Sequence, residues 1–123
     1  VPTLSSIGFD ISFASKIAVD NLMNLLVDIQ KKTSKSIIMI THDMDNVARF
    51  AKRVIVLNKG VVVFDGTPQS LFDNQLLLKE HNLALPECAK YAQALKEKGL
   101  IDFKHIPITK EKLLDVIKEA YHE

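Results

Sequence analysis

The chain has 123 residues, of which 47% are hydrophobic and 25% charged, the size and make-up of one soluble domain or of part of a larger one. Sixteen Lys and Arg stand against fifteen Asp and Glu, with no basic window free of acidic neighbours, which argues against a strong nucleic-acid footprint. A single cysteine, Cys88, rules out an internal disulfide, and no apolar run approaches the ~20 residues of a membrane-spanning helix. The first residues are neither a methionine start nor a basic-then-apolar leader, so the sequence reads as one that opens within a longer protein or has been trimmed.

Val1 to Ser12 mixes Pro, Ser, Gly and Asp and reads as a loop, with Ser12 or Ser15 available to cap the next element. From Phe13 to Lys32 the apolar residues Ala18, Leu22, Leu25, Leu26 and Ile29 recur at three and four positions, which predicts a helix with one buried face. Lys31 and Lys32 suit its last turn, where cations favour the helix dipole. A short polar connection leads into Ile37 to Ile40, a β-branched run that reads as a buried parallel strand. Helix, loop and apolar strand make half of a βαβ crossover, with the other strand expected before Val1.

That strand runs into Thr41-His42-Asp43, which puts an imidazole at its carboxyl end, where ligands bind in open parallel sheets. Asp43 is expected to cap a short helix whose stripe is Met44, Val47, Ala48 and Ala51, with Asp45, Asn46, Arg49 and Lys52 facing outward. Val54 to Leu57, the turn Asn58-Lys59-Gly60 and Val61 to Phe64 predict a hairpin of a buried strand and its partner. After Asp65-Gly66, Thr67-Pro68 is a helix start, with a capping hydroxyl and a proline at the first helical position. Beyond Asp73 the pattern is helical throughout. A short helix spans Gln75 to His81. A second runs from Leu85-Pro86 through Cys88, Tyr91, Ala92 and Leu95 to a stop at Gly99. Ile101 to Pro107 reads as a linker, and Thr109 caps a last helix with the stripe Leu113, Val116 or Ile117, and Ala120. The chain thus divides near residue 74 into an α/β part, 1–74, and a helical appendix, 75–123.

Ile40-Thr41-His42-Asp43-Met44, Val47-Ala48, Ala51 to Leu57, Gly60 and Asp65-Gly66-Thr67-Pro68 resemble the switch-histidine region of ATP-binding cassette (ABC) ATPases. Leu78 to Pro86 and Ala94 to Gly99 resemble the carboxyl-terminal extension of the ATPase subunits of energy-coupling factor (ECF) transporters, which take up vitamins and transition-metal ions. The resemblance covers roughly residues 30 to 123. It implies an α/β fold: the carboxyl-terminal part of a P-loop ABC ATPase domain, followed by a small all-helical extension that serves dimerisation.

The resemblance further implies that His42 contacts the γ-phosphate of ATP and helps position the attacking water. An imidazole N–H can donate to a phosphoryl oxygen whose charge grows in the transition state. The family's glutamate-proline-threonine segment corresponds to Val1-Pro2-Thr3, with valine where the catalytic glutamate would stand, and valine cannot activate water. With three extra residues inserted, Gly8-Phe9-Asp10 matches the D-loop, which makes Asp10 a candidate on the side facing a partner subunit. No Gly-rich phosphate loop, signature sequence or acidic magnesium-binding strand occurs, so this chain by itself is expected neither to bind nor to hydrolyse ATP. ATP and Mg2+ belong to the intact subunit. The implied partners are a second ATPase subunit, in a homo- or heterodimer, and a transmembrane coupling component, at the cytoplasmic face of the membrane.

Two other readings stand beside this one: a non-catalytic interaction module, and part of an ATPase from another ABC importer branch. Cys88 reads as a small buried hydrophobe, and Gly66 as a backbone residue closing the strand. His81, His105 and His122 lack the spacing of metal ligands and read as solvated surface.

Overall fold

In the computed structural model, which describes residues 6–10, 16–34 and 36–121, the first element is a strand, β1 (Ser6–Asp10). It pairs in parallel with β2 (Ser36–Ile40), in a register running from Ser6 opposite Ser36 to Asp10 opposite Ile40, and α1 (Lys16–Thr33) connects them. The loop expected over Val1 to Ser12 is therefore corrected, and both strands of the βαβ unit lie within the chain. Ile7 and Phe9 alternate with small or polar residues, a period-two pattern that the surrounding turn formers mask. The proposed caps Ser12 and Ser15 lie outside the described residues.

Helix α1 buries Met23 and Leu26, whereas Ala18, Leu22 and Leu25 of the expected stripe are exposed. This helix is apolar on two sides, so spacing alone does not select the packed one. It ends at Ser34, which takes a positive φ of 57° while its N–H donates to Gln30 O at 2.9 Å. In β2, Ile37 and Met39 are half-buried, but Ile38 and Ile40 are 57% and 60% exposed, so the strand is not covered on both faces as expected. Successive side chains point to opposite faces, and the described elements cover one of them.

Asp43–Glu123 forms a second compact unit, separate from Val1–His42. It begins with α2 (Met44–Phe50) and a hairpin of β3 (Val54–Asn58) and β4 (Val61–Gly66). Lys59 (φ 51°) and Gly60 (φ 78°) are both left-handed, the conformation of a two-residue hairpin turn that follows the strand twist. The hairpin is not a buried strand with a partner: Ile55 and Leu57 are exposed and alternate with half-buried Val54 and Val56, and the register shifts between Val56 and Leu57. At Gly66 a Cβ would come within 2.9 Å of the Phe64 ring, so glycine there answers to a close approach.

The remaining helices are α3 (Pro68–Asp73), α4 (Gln75–Glu80), α5 (Glu87–Glu97) and α6 (Lys110–Tyr121). Thr67 caps α3 through Ser70 N–H at 3.1 Å, and Thr109 caps α6 through Lys112 N–H at 3.3 Å. Helix α5 stops at Gly99 (φ 75°), with Leu100 N–H donating to Leu95 O at 3.0 Å, and Asn82 (φ 54°) closes α4 in a similar way. The core of this unit joins Val47, Leu71, Phe72, Leu78, Ala89, Ile106 and Ile108.

Three expectations are corrected in this unit. Asn46 is buried and does not face outward. Tyr91 is 61% exposed, and α5 packs through Ala89 and Ala92, small residues that let a helix come close. Ile101 to Pro107 is not a linker: Ile101, Ile106 and Pro107, with Ile108, are buried, because three isoleucines supply apolar surface where no periodicity marks it.

Candidate functional site

The strand end that carries His42 is built from β1 and β2. Asp10 is the last residue of β1 and pairs with Ile40, two residues before His42, so the carboxyl ends of two parallel strands bring both candidate residues to one edge of the pair. The His42 side chain is exposed. Val1, which would stand in the place of a catalytic glutamate, lies outside the described residues.

Asp43 comes next with φ −89° and ψ 109°, and its Oδ1 accepts the N–H groups of Asp45 at 2.9 Å and Asn46 at 3.4 Å. It is the cap that the sequence predicts, holding the first turn of α2. Asp45 in turn accepts the Glu87 N–H at 2.9 Å through Oδ1, although the helical pattern places it among outward-facing residues.

A second polar cluster lies around α3. Asp73 Oδ1 accepts Ile106 N–H at 2.8 Å, Gln69 Nε2 donates to Ile106 O at 2.7 Å, and His105 Nδ1 lies 2.8 Å from Asp73 Oδ2. Lys112 Nζ donates to Gln69 Oε1 at 3.1 Å. Gln69, His105, Lys112 and Asp115 line an open cleft of about 400 Å³ that does not include His42. Sequence reasoning misses this cluster; its one signal is the polar pair Gln69 and Asp73, four residues apart on α3. Its bonds fasten the segment at Ile106 to α3. His81 Nδ1 lies 3.0 Å from Asn58 Nδ2, and His122 lies outside the described residues. Among the described residues no three His, Cys, Asp or Glu side chains group as metal ligands.

On the hairpin, Arg53 meets Asp65 with Nε to Oδ1 at 2.8 Å and the second bond at 2.7 Å. This fork holds the Asp65 carboxyl below its ordinary range and raises the Arg53 guanidinium further, both chiefly through the hydrogen bond. Both side chains are exposed, so the pair guides geometry more than stability.

No model of a protein family matches the chain. The energy-coupling factor transporter ATP-binding protein EcfA2 of Staphylococcus epidermidis is 33% identical over 102 residues, 83% of this chain and 36% of that protein. The protein of the same name from Enterococcus faecalis is 36% identical over 102 residues, 83% of this chain and 35% of its own length. Among solved structures, cbiO1 from Clostridium perfringens, described as part of the ABC transporter complex cbiONQ, is 28% identical with a TM-score of 0.53, covering 76% of this chain and 36% of that one. Over most of its length the chain is similar to part of the ECF transporter ATP-binding proteins. It spans little more than a third of the length of the relatives it matches. Its fold is that of part of an ABC ATPase.

Cys88 is half-buried, and burial together with the nearby Asp45, Glu111 and Glu87 carboxylates pushes its thiol up from the usual value. A raised thiol pKa leaves less thiolate at pH 8, so alkylation by iodoacetamide is expected to run slower than that of free cysteine and to gain as pH rises. A rate equal to or above that of free cysteine would contradict this.

Proposed function

We propose that the chain is the carboxyl-terminal part of the ATP-hydrolysing subunit of an ECF importer, coupling ATP hydrolysis to uptake of a vitamin or metal ion. The observation that supports it most is the identity to EcfA2 proteins over 102 residues, carried through the histidine strand, the hairpin and the helices beyond them. In this reading residues 1–74 belong to the nucleotide-binding domain and 75–123 form an extension that serves dimerisation. The subunit sits peripherally at the cytoplasmic face of the membrane, paired with a second ATPase and a transmembrane coupling component. No helix among the described residues is long and apolar enough to cross a membrane.

His42 is the catalytic residue of this chain in that reading, donating to a γ-phosphate oxygen from the exposed end of β2. Asp10, at the adjacent strand end, is the D-loop candidate facing the partner subunit. ATP and Mg2+ do not fit this chain by itself: its sequence has no phosphate loop, and its described residues present no cluster of metal ligands. The rest of the subunit supplies those contacts.

The test is phosphate release by the full-length subunit assembled with its partners. Turnover that requires both ATP and Mg2+ is expected; an assembled complex that binds but never hydrolyses ATP would favour the interaction-module reading and overturn this one.

A further inference from the structure

The cleft lined by α3, the segment before α6 and α6 itself measures about 400 Å³, a size that takes a small molecule. Its polar groups are held in place from behind. Gln69 Nε2 donates to Ile106 O at 2.7 Å and to Asp73 Oδ2 at 3.3 Å, which leaves its Oε1 to accept Lys112 Nζ at 3.1 Å. That bond takes one of the three ammonium hydrogens and neutralises no charge. His105 turns Nδ1 to Asp73 Oδ2 at 2.8 Å; a carboxylate accepts, so the hydrogen sits on Nδ1, and Nε2 of the neutral ring keeps a lone pair. Asp115, three residues after Lys112 on α6, is exposed and makes no hydrogen bond or ion pair among the described residues. The apolar part of the lining is half-buried Val116 with the buried Ile106 and Pro107.

We propose that this cleft binds a free α-amino acid with an apolar side chain. The lining offers one cation without a counter-charge, one carboxylate without a partner, and apolar surface beside them. A simple anion meets repulsion from Asp115 and a simple cation meets it from Lys112, whereas a ligand carrying both charges satisfies both. Side chains three residues apart on a helix are neighbours, about 5–6 Å between Cβ atoms, a span that the two charged ends of one amino acid bridge. The ligand carboxylate accepts from the remaining Lys112 N–H groups, its ammonium donates to Asp115 and to His105 Nε2, and its side chain covers Val116 and Pro107. Lys112 meets it already oriented, because Gln69 is fixed at its other end by Ile106 O.

The test titrates leucine into the full-length subunit without nucleotide and follows its amide NMR shifts, beside three probes that each lack one feature. Isocaproate lacks the ammonium, isoamylamine the carboxylate and glycine the side chain. Leucine should bind with a Kd of about 1 mM, as fits exposed charges in an open cleft, and each of the other three at least about tenfold more weakly. Lys112→Ala and Asp115→Ala should each weaken leucine at least about tenfold, while Leu76→Ala leaves it unchanged. If Lys112→Ala does not fold, Lys112→Met keeps the apolar stem and removes only the charge, and the same loss is expected. No leucine binding up to about 20 mM overturns the proposal. So does isocaproate or isoamylamine binding as tightly as leucine, or a folded Lys112 or Asp115 variant with wild-type affinity. Binding is read without nucleotide or turnover, so its failure says nothing against ATP hydrolysis by the subunit, and the reverse also holds.

Discussion

His42→Ala in the full-length subunit is expected to lower ATP turnover about 100-fold, with little change in KM for ATP, measured as steady-state phosphate release. The proposed donor is exposed at the end of β2, where an imidazole N–H can reach a ligand without displacing the protein's own core. Its hydrogen bond to a phosphoryl oxygen gains strength as charge accumulates there, so the loss falls on the transition state more than on the bound nucleotide. His42→Gln keeps a side-chain N–H donor and should lie between wild type and alanine. Unchanged turnover in His42→Ala would remove the residue from the mechanism, and a raised KM with unchanged kcat would make it a ground-state contact only.

Phe72→Ala should destabilise the protein by about 3–5 kcal/mol, the usual loss for a fully buried aromatic that leaves a cavity. Phe72 is 0% exposed and shares a core with Val47, Leu71, Leu78, Ala89, Ile106 and Ile108, which come from four helices and the segment before α6. A protein of ordinary stability has only about 5–15 kcal/mol in total, so the variant should show a large drop in its urea midpoint. Leu76→Ala, at a position 68% exposed, is the control and should stay within about 0.5 kcal/mol. A Phe72→Ala loss below about 1 kcal/mol would show that a different set of contacts holds the unit together.

The contrast between Phe72 and Leu76 shows where sequence reading stops. Both are large apolar residues in short helices separated by one capping asparagine, and nothing local tells them apart. The elements themselves are legible: Asp43, Thr67 and Thr109 as caps, Gly99 as a stop, and Lys59-Gly60 as the hairpin turn all follow from backbone groups that need a partner or a left-handed residue. The strand β1 is not, because Ser, Gly and Asp mark turns more strongly than Ile7 and Phe9 mark alternation.

The candidate site divides in the same way. The order of residues around His42, down to Asp65-Gly66-Thr67-Pro68, points to the ABC ATPase resemblance, because a covalent order of motifs needs no fold to be read. Asp43 is recognisable as a cap for the same reason: its acceptor serves N–H groups two and three residues away. That Asp45 reaches Glu87, or that Gln69 and Asp73 hold Ile106, is hidden from the sequence, since those partners lie more than thirty residues apart and meet only when the helices pack. Hidden too is which face of α1, β2 or β3 is covered. By itself the sequence determined local conformation, motif order and the presence of a histidine at a strand end. Tertiary structure alone decided burial and long-range pairing, because these depend on which surfaces meet, and periodicity within one element carries no information about its neighbour.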